Sequence, residues 1–437
     1  MTSSARRLVF DEVRVVPTSS GPGLPDTVVV DKGRVAWVGR SEELPPEHVA
    51  LPSEHVAGIA LPGLIDGHTH ISLRGDGATY EEMNRDPDEL MAIVAVRNLH
   101  RHLSHGVTTI RDNGGKNSVV FAVREAVRRG YAQAPRMLLS GRPVTPTGGH
   151  FAWCNGVADD ATEIKRSIRR LRSEGADHIK IMASGGGTAA SRSDLPSFDV
   201  QDLRVAVEIA HELGMRTTAH CHAVAAMRNA ILAGVDCIEH GYFYIPTGSA
   251  EYVHDGVRSG VVEYFAQYDG SVTEAMLERG ITLSATVPAG GYRELRALRA
   301  AKDEGRPETP QQTARREGLE RRFQRKFGTL NRLIQDGMLG SIQITTDAGP
   351  ISTQFGHFTD VIRGAVEAGM TTDQALEAAT IVPARTCGLE DVGTLEVGNA
   401  ADILVLDGDP REDLTHLEHP RAVFAAGERV DRGGLLG

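Results

Sequence analysis

The chain has 437 residues, of which 41% are hydrophobic and 24% are charged, and its formal net charge at pH 7 is −11. This length and apolar content suffice for one large core, or for a large domain beside a small one, and the acidic balance disfavours nucleic acid as a partner. No apolar run is long enough for a membrane helix, so no membrane partner is expected, and four cysteines without a C-x-x-C pair favour a reducing cytoplasm.

Both ends of the chain are predicted to form the strands of one small domain. Near the amino end, "RLVFDEVRVV", "DTVVVDKGRVAWVG" and "HVAGIALPG" alternate and turn at glycine, without the apolar core of a signal peptide before them. Near the carboxyl end, "VGTLEVGNAADILVLDGDP" and "RAVFAAGERV" have the same character. We therefore expect residues 1–58 and 389–437 to form a β-sandwich domain beside a larger domain at 59–388.

Short apolar strands alternate with amphipathic helical segments through the larger domain. Eight strand candidates follow in chain order: 61–68, 106–112, 136–142, 178–184, 216–222, 236–241, 281–286 and 341–349. Repeated βα units predict a parallel sheet, and eight of them predict a closed barrel. The expected fold class is therefore α/β, a (β/α)8 TIM barrel with a small β-sandwich domain built from both chain termini.

Two connections in this domain are too long for simple βα loops. They lie near 243–272 and 287–328, and the second is rich in arginine. Both follow strands at the carboxyl-terminal face of the predicted barrel, where barrel active sites lie. A role as a lid or pocket wall and a role as surface helix both stay open.

Unusual polar residues recur at the ends of the predicted strands. "LPGLIDGHTH" places two histidines two positions apart, and the alternation of a strand turns both to the same side. Each such residue alone could be a buried histidine, a snorkelling lysine or a helix cap. Because six of them fall near one mouth of one barrel, we interpret them as a metal site. The six are His68, His70, Lys180, His220, His240 and Asp347.

The motifs that carry these residues resemble a known family. "PGLIDGHTHI", "PTGGH", "GADHIKIMASGG", "AHCHAVAAMRNAILAGVDCIEHG" and "TTDAG" are similar to the metal-dependent amidohydrolase superfamily, over essentially the whole chain. Within it, the chain resembles the imidazolonepropionase-like and Xaa-Pro dipeptidase (prolidase-type) branch.

This resemblance implies a role for each residue. His68 and His70 would bind one divalent metal together with Asp347. His220 and His240 would bind a second. Lys180 would bridge both ions as an N-carboxylated lysine formed with CO2.

The implied activity is hydrolysis of a carbon–nitrogen amide bond, in a small-molecule substrate such as a dipeptide or an N-acyl amino acid. A metal-bridging hydroxide would attack, and Asp347 would act as general base and then as general acid. Nitrogen and oxygen ligands suit Zn²⁺, and Mn²⁺ or Co²⁺ could replace it. An ammonium beside two dications would have a strongly lowered pKa, and the neutral amine of Lys180 could then add CO2.

Two further residues are implied in substrate binding. His150 in "PTGGH" and Tyr242, two residues after His240, match positions that hold a substrate carboxylate or carbonyl, although plain loop packing stays open for both. His222 shares the strand face of His220 and is expected beside the site.

Two other functions are weighed against this one. A ring-opening hydrolase or deaminase with a single metal, acting on a cyclic or other specialised amide, is disfavoured by the lysine on strand four. An inactive scaffold is disfavoured because all six ligand residues are present. The substrate, the metal and any homo-oligomeric state stay open.

Overall fold

A strand-rich segment begins the chain, as the alternating pattern predicts. The computed structural model describes residues 5–189, 191–246 and 265–433. Its first strands are β1 (Arg6–Val9), β2 (Glu12–Val13), β3 (Thr27–Asp31), β4 (Arg34–Gly39), β5 (Ser53–His55) and β6 (Ile59–Pro62). One sheet has the strand order β4-β3-β1-β5, and β2 and β6 join a second sheet.

Eight parallel strands form the predicted barrel. They are β7 (Leu64–Thr69), β8 (Val107–Asp112), β9 (Arg136–Leu139), β10 (His178–Ile181), β11 (Arg216–Ala223), β12 (Cys237–Ile245), β14 (Thr282–Thr286) and β15 (Ile342–Thr345). The short strand β13 (Phe265–Ala266) pairs with β12 outside this series. Strands β7, β8 and β9 make one arc, and β10, β11, β12, β14 and β15 make the other.

Two seams join the arcs into a ring. At the first seam, the backbone N–H of Asp347 donates to the carbonyl oxygen of His68 at 2.9 Å, directly after β15 and near the end of β7. At the second seam, Val144 pairs in parallel with Ile181 of β10. The ring of eight strands confirms the fold class, and it brings the first and last strands together.

Helices follow most of the barrel strands. They are α1 (Tyr80–Asn84), α2 (Asp88–Ser104), α3 (Val119–Arg128), α4 (Ala161–Glu174), α5 (Val200–Glu212), α6 (Val224–Ala233), α7 (Gly270–Glu278), α8 (Tyr292–Asp303), α9 (Pro310–Leu333), α10 (Thr359–Glu367), α11 (Thr372–Glu377) and α12 (Ile381–Cys387). The spacing that predicts them is clear in α2, where Met91, Ala95 and Leu99 recur every four residues and are buried. Within the described ranges, no helix has both the length and the apolar character of a transmembrane span.

The small domain combines both ends of the chain. Its second sheet adds β16 (Ile403–Leu406), β17 (Ala422–Ala425) and β18 (Glu428–Arg429), in the order β18-β17-β16-β6-β2. Apolar residues from both ends share one core, among them Leu8, Val28, Ile403 and Phe424. The small β domain is therefore built from both termini, whereas its boundaries at 1–58 and 389–437 stay a prediction.

The predicted strand 61–68 is divided in the structure. β6 pairs with β16 in the small domain, and β7 begins at Leu64 in the barrel. Gly63 lies between the two strands, and a Cβ atom at this position would collide with the side chain of Thr108. The apolar pattern runs through both strands, so the break is not visible in it.

Each long connection has structure of its own. The connection 243–272 extends β12 and returns through β13, and residues 247–264 within it lie outside the described residues. The connection 287–328 forms α8 and most of α9. An apolar cluster of Tyr292, Leu295, Leu319 and Phe323 packs these two helices together.

Candidate metal centre

The six predicted ligand residues lie at the carboxyl-terminal end of the barrel. All are buried except Asp347, whose side chain is 15% exposed. Five of them fall into two groups of three candidate ligands, in which one ligand atom of each residue lies within 4.8 Å of the others. The first group is His68, His70 and Asp347, and the second is His220, His222 and His240.

In the first group, two imidazoles face one carboxylate. The Nε2 atoms of His68 and His70 each lie 3.5 Å from Asp347 Oδ1. His70 Nδ1 donates to the carbonyl oxygen of Gly114 at 2.8 Å, and we assign the proton to Nδ1 because a carbonyl only accepts. Nε2 therefore presents a lone pair to the carboxylate oxygen, an arrangement that favours a cation between them.

The second group is formed by three imidazoles. His220 Nε2 donates to the carbonyl oxygen of Gly185 at 3.1 Å, which leaves Nδ1 as the ligand atom. His240 Nδ1 lies 2.9 Å from Thr286 Oγ1, which leaves Nε2 for the group. His222, expected beside the site, is the third member. Its ring lies 4.2 Å from that of His220, centroid to centroid.

Lys180 reaches the same end of the barrel from β10. Its Nζ is buried and has no hydrogen-bond partner among the described residues. Burial lowers the pKa of Lys180. Burial is also the main cause that lowers the pKa of His70 and of His220, and the charge of Lys180 contributes to both shifts. The lysine is therefore close to both groups.

The donor set fits divalent metal ions. Imidazole nitrogens with a carboxylate oxygen are ligands that zinc prefers. His68 Nε2, Lys180 Nζ and Asp347 Oδ1 are buried polar atoms without a hydrogen-bond partner in the described part of the chain. Such atoms are costly when nothing compensates them, and metal coordination would directly compensate the imidazole nitrogen and the carboxylate oxygen.

A carboxylate with no predicted role lies directly behind the first group. Glu239 Oε2 lies 2.6 Å from His68 Nδ1, and Oε1 accepts from Arg111 Nη2 at 2.8 Å and from the hydroxyl of Thr218. Burial alone would raise the pKa of Glu239. The charges of His68 and Arg111 nevertheless hold this pKa well below its usual value. The charged carboxylate keeps the proton of His68 on Nδ1 and so directs Nε2 into the group.

Backbone geometry explains why strand alternation does not reveal Glu239. Neighbours on a regular strand face opposite sides, so an inward His240 would place Glu239 outside the barrel. His240 has a φ of 69°, which breaks the alternation, and both side chains contact His68. Asp347 also has a positive φ, 55°. One signal in the sequence could have revealed Glu239: it is a carboxylate within an otherwise buried strand, and a buried carboxylate requires a partner.

A second carboxylate ties together the strands of the first group. Asp66 Oδ1 accepts from the backbone N–H groups of His68 and Thr346, both at 3.2 Å. Its Oδ2 accepts from the hydroxyl of Thr346 at 2.5 Å and from His102 Nε2 at 2.8 Å. Gly356 N–H donates to His102 Nδ1 at 3.0 Å, which fixes the imidazole proton on Nε2. Asp66 therefore holds the ends of β7 and β15 in register.

His150, a predicted substrate-binding residue, lies against the second group. Its ring centroid is 4.7 Å from that of His220, and its Nδ1 is 2.9 Å from Thr188 Oγ1. A Cβ atom at Gly186 would collide with this ring, so the glycine makes the position possible. Burial, with a contribution from Lys180, lowers the pKa of His150 to about 3. The imidazole is therefore neutral and can donate a hydrogen bond but no charge.

Tyr242, the other predicted substrate-binding residue, lies on the same side. Its hydroxyl is 2.8 Å from Thr286 Oγ1, the atom that also contacts His240. Its ring stacks on His222 at a centroid distance of 4.7 Å. Tyr242 is thus connected to two of the three histidines of the second group.

The chain is similar to proteins of known activity over its whole length. The ochratoxinase of Aspergillus niger is 27% identical over 473 aligned positions, which cover 100% of this chain and 87% of that protein. The imidazolonepropionase of Paracoccus denitrificans is 24% identical, with coverages of 91% and 92%.

Solved structures share the fold. A Xaa-Pro dipeptidase with methionine bound in the active site has a TM-score of 0.75 and 23% identity, over 98% of this chain and 99% of that one. The structure of the A. niger ochratoxinase has a TM-score of 0.77 and 22% identity, with coverages of 99% and 96%.

A family model described as the amidohydrolase family matches residues 59–430, which include all six predicted ligands. This family generally uses divalent metal ions, in agreement with the two ligand groups. The chain therefore belongs to the amidohydrolase family, and it is a hydrolase that acts on an amide carbon–nitrogen bond.

Proposed function

We propose that this protein is a binuclear metal-dependent hydrolase that cleaves the amide bond of a dipeptide or an N-acyl amino acid. The observation that carries the proposal is the pair of adjacent ligand groups, whose nearest rings, those of His68 and His240, lie 4.9 Å apart. Both groups lie at the carboxyl-terminal face, where barrel enzymes have their active sites. Zn²⁺ suits these ligands best, and Mn²⁺ or Co²⁺ could replace it.

Lys180 is proposed to bridge the two ions as a carbamate. Burial lowers the pKa of its amine, which favours the neutral form that can attack CO2. The nitrogen forms a bond to carbon and loses a proton, which gives an anion with two oxygen ligands. This anion would turn a buried amine without a hydrogen-bond partner into a ligand shared by both groups.

The protein's own residues would position and move the protons. When bound, the two ions would polarise the scissile carbonyl and supply an activated water. Asp347, whose Oδ1 faces both histidines of the first group, would accept the proton of the water and pass it to the leaving nitrogen. Glu239 and Asp66 would keep His68 and Asp347 in the orientation that this transfer requires.

The substrate is proposed to lie on the side of the second group. The hydroxyl of Tyr242 and the neutral imidazole of His150 can both donate hydrogen bonds to a substrate carbonyl or carboxylate. Both side chains are adjacent to His220 or His240, so an oxygen held by them would be near the reacting bond.

Metal analysis tests the proposal directly. Protein produced with added zinc and bicarbonate should contain two metal ions per chain, and Lys180→Ala should lose about one of them and its activity. Short carboxylic acids should partly restore the activity of Lys180→Ala. A single ion per chain together with an unmodified lysine would refute the binuclear site.

A specialised amide that is not a dipeptide is the second candidate substrate. The inserted helix α9 adjoins the second group, because its Lys326 lies over the ring of Tyr242, which stacks on His222. The full-length similarity to an ochratoxinase supports the same candidate. A screen of dipeptides, N-acyl amino acids and aryl amides on the metal-loaded protein separates the two candidates.

A further inference from the structure

A cavity lies at the end of the barrel opposite the candidate metal centre. Its volume is about 700 Å³, which is within the range of small-molecule sites. It is lined by residues at the starts of four neighbouring strands, β11, β12, β14 and β15, namely Arg216, Asp236, Thr282 and Ser341. The predicted ligands lie where these strands end. On β11, extended strand of about 13 Å separates Arg216 from His220, so the cavity is a separate place on the molecule.

The cavity is basic, although the chain as a whole is acidic. Three arginines line it: Arg216, Arg279 and Arg385. Asp236 is the one carboxylate among the described lining residues, and its Oδ2 already accepts from the backbone N–H of Thr217 at 2.7 Å and from His211 Nε2 at 2.9 Å. Three positive charges against one negative charge leave the lining with a formal charge of +2. A concave surface with such an excess concentrates anions.

The three guanidinium groups have donors to spare. None of them forms an ion pair with a carboxylate in the described part of the chain, and Arg216 and Arg279 form no side-chain hydrogen bond there either. Arg385 Nη2 donates to the carbonyl oxygen of Gly340. A guanidinium has five N–H donors, so Arg385 keeps most of its donors for a ligand. The hydroxyl of Ser341 is also without a hydrogen-bond partner among the described residues.

Contacts with the backbone position two of these arginines. A Cβ atom at Gly388 would lie 2.7 Å from Arg216 Nε, so the Arg216 side chain packs closely against the residue that follows α12. Arg385 belongs to α12, and its bond to Gly340 ties this helix to the segment before β15. Because these contacts limit the motion of both side chains, less conformational freedom would be lost when they bind a ligand.

We infer that this cavity, lined by Arg216, Arg279 and Arg385, binds the phosphate group of a small molecule. Arginine presents a planar fork of donors that matches phosphate oxygens in pairs. A phosphate monoester carries a charge of about −1.5 to −2 at pH 7, which balances the charge of the lining. The acidic charge of the whole chain disfavours a nucleic acid as the source of the phosphate. This binding site goes beyond the proposed hydrolysis, which takes place at the other end of the barrel.

A purely structural role for the arginines predicts different behaviour. Arg385 lies in the last turn of α12, and Arg279 directly follows α7. Cations at the carboxyl end of a helix stabilise it through the helix dipole. If this were their whole contribution, replacing them would lower the stability of the ligand-free protein and leave any effect of phosphate unchanged. A role in phosphate binding instead predicts that the same replacements weaken the binding of phosphate compounds.

The test compares glucose 6-phosphate with glucose, which lacks only the phosphate group, and uses inorganic phosphate as the smallest probe. Binding is measured as a saturable rise in the unfolding temperature of the metal-loaded protein, at an ionic strength held constant with NaCl. We expect both phosphate compounds to bind and glucose not to bind. Arg279→Met and the double variant Arg216→Met/Arg385→Met should each weaken binding by about tenfold or more, because hydrogen bonds to a charged group are lost. Arg169→Met, which removes an exposed arginine of α4 outside the cavity, is the matched control and should change nothing.

Each outcome decides for or against the phosphate site. If neither phosphate compound gives a saturable rise in the unfolding temperature, or if glucose gives the same rise, the inference is overturned. An equal rise in the arginine variants would place the phosphate elsewhere, for example at the candidate metal centre, and would also overturn it. Variants that unfold at a lower temperature without ligand but keep the full effect of phosphate would assign the arginines to the structural role alone. None of these measurements depends on amide hydrolysis, so the proposed function is tested separately.

Discussion

Replacing Glu239 with glutamine removes the negative charge behind His68 and keeps the size of the side chain. In the wild type the carboxylate faces three donors: His68 Nδ1 at 2.6 Å, Arg111 Nη2 at 2.8 Å and the hydroxyl of Thr218. A glutamine has one carbonyl oxygen and one amino group, so at least one of these donors would face another donor. The imidazole would then lose the partner that directs its Nε2 into the ligand group.

Two magnitudes follow from this geometry. Changes to the partner of a ligating histidine typically lower metal affinity by about 10–100-fold. In free energy of binding this is about 1.4–2.7 kcal/mol. Arg111 would also stay buried without its anion, and breaking a buried ion pair on one side costs roughly 3–5 kcal/mol of the free energy of unfolding.

Zinc affinity is measured by competition with a chelator, and stability by denaturant unfolding of the metal-free protein. Glu125→Gln is the matched control, because Glu125 is an exposed carboxylate whose partners Arg128 and Arg129 are also exposed. We expect this control to leave zinc affinity unchanged. A Glu239→Gln protein with wild-type zinc affinity would refute the view that this carboxylate orients His68.

Three further predictions concern the proton, the substrate and the small domain. Asp347→Asn should keep the fold and most of the metal and lower kcat by about 10²–10⁴-fold, because an amide cannot accept the proton; near-normal turnover in steady-state kinetics would assign the transfer to another group. Tyr242→Phe should raise KM for substrates with a free carboxylate by about 5–150-fold, which corresponds to a lost hydrogen bond of about 1–3 kcal/mol; an acid-to-amide ratio equal to that of wild type would remove Tyr242 from the substrate site. In the small domain, burial alone would raise the pKa of Asp409, but hydrogen bonds from Arg411 and Arg14 lower it. The resulting stability is present above the ordinary carboxyl pKa of about 4 and is lost as pH falls through the lowered value. Asp409→Asn should therefore flatten the acid side of the stability profile, and an unchanged profile in denaturant unfolding would contradict the assignment.

The barrel and its ligand residues were accessible to sequence reasoning because both depend on local patterns. A short apolar strand followed by a helix is visible in the order of residues, and the parallel barrel brings all strand ends to one face. Six polar residues at strand ends could therefore be assigned to one site before any distance was known. Their metals and roles came from the family resemblance, and these roles stay predictions.

What sequence reasoning missed depends on backbone conformation and on contacts between distant segments. Glu239 points inward because His240 has a positive φ, and no local pattern encodes that angle. The close contact that requires glycine at position 63 comes from Thr108, which belongs to another strand. The position of Lys326 beside Tyr242 depends on how α9 packs against the barrel, which the arginine-rich composition of the insertion does not specify.

The first seam of the barrel also sets an order of events during synthesis. His68 and His70 leave the ribosome with the first barrel strand, whereas Asp347 follows only after the last. The first ligand group cannot form until β15 docks against β7, so this group stays incomplete during most of the synthesis of the chain. In the proposed site, the first group could therefore bind its ion only after ring closure, and that ion would fasten the first and last strands of the barrel to each other. Amide hydrogen exchange at β7 and β15 should slow more on metal loading than exchange at β9, which carries none of the proposed ligands.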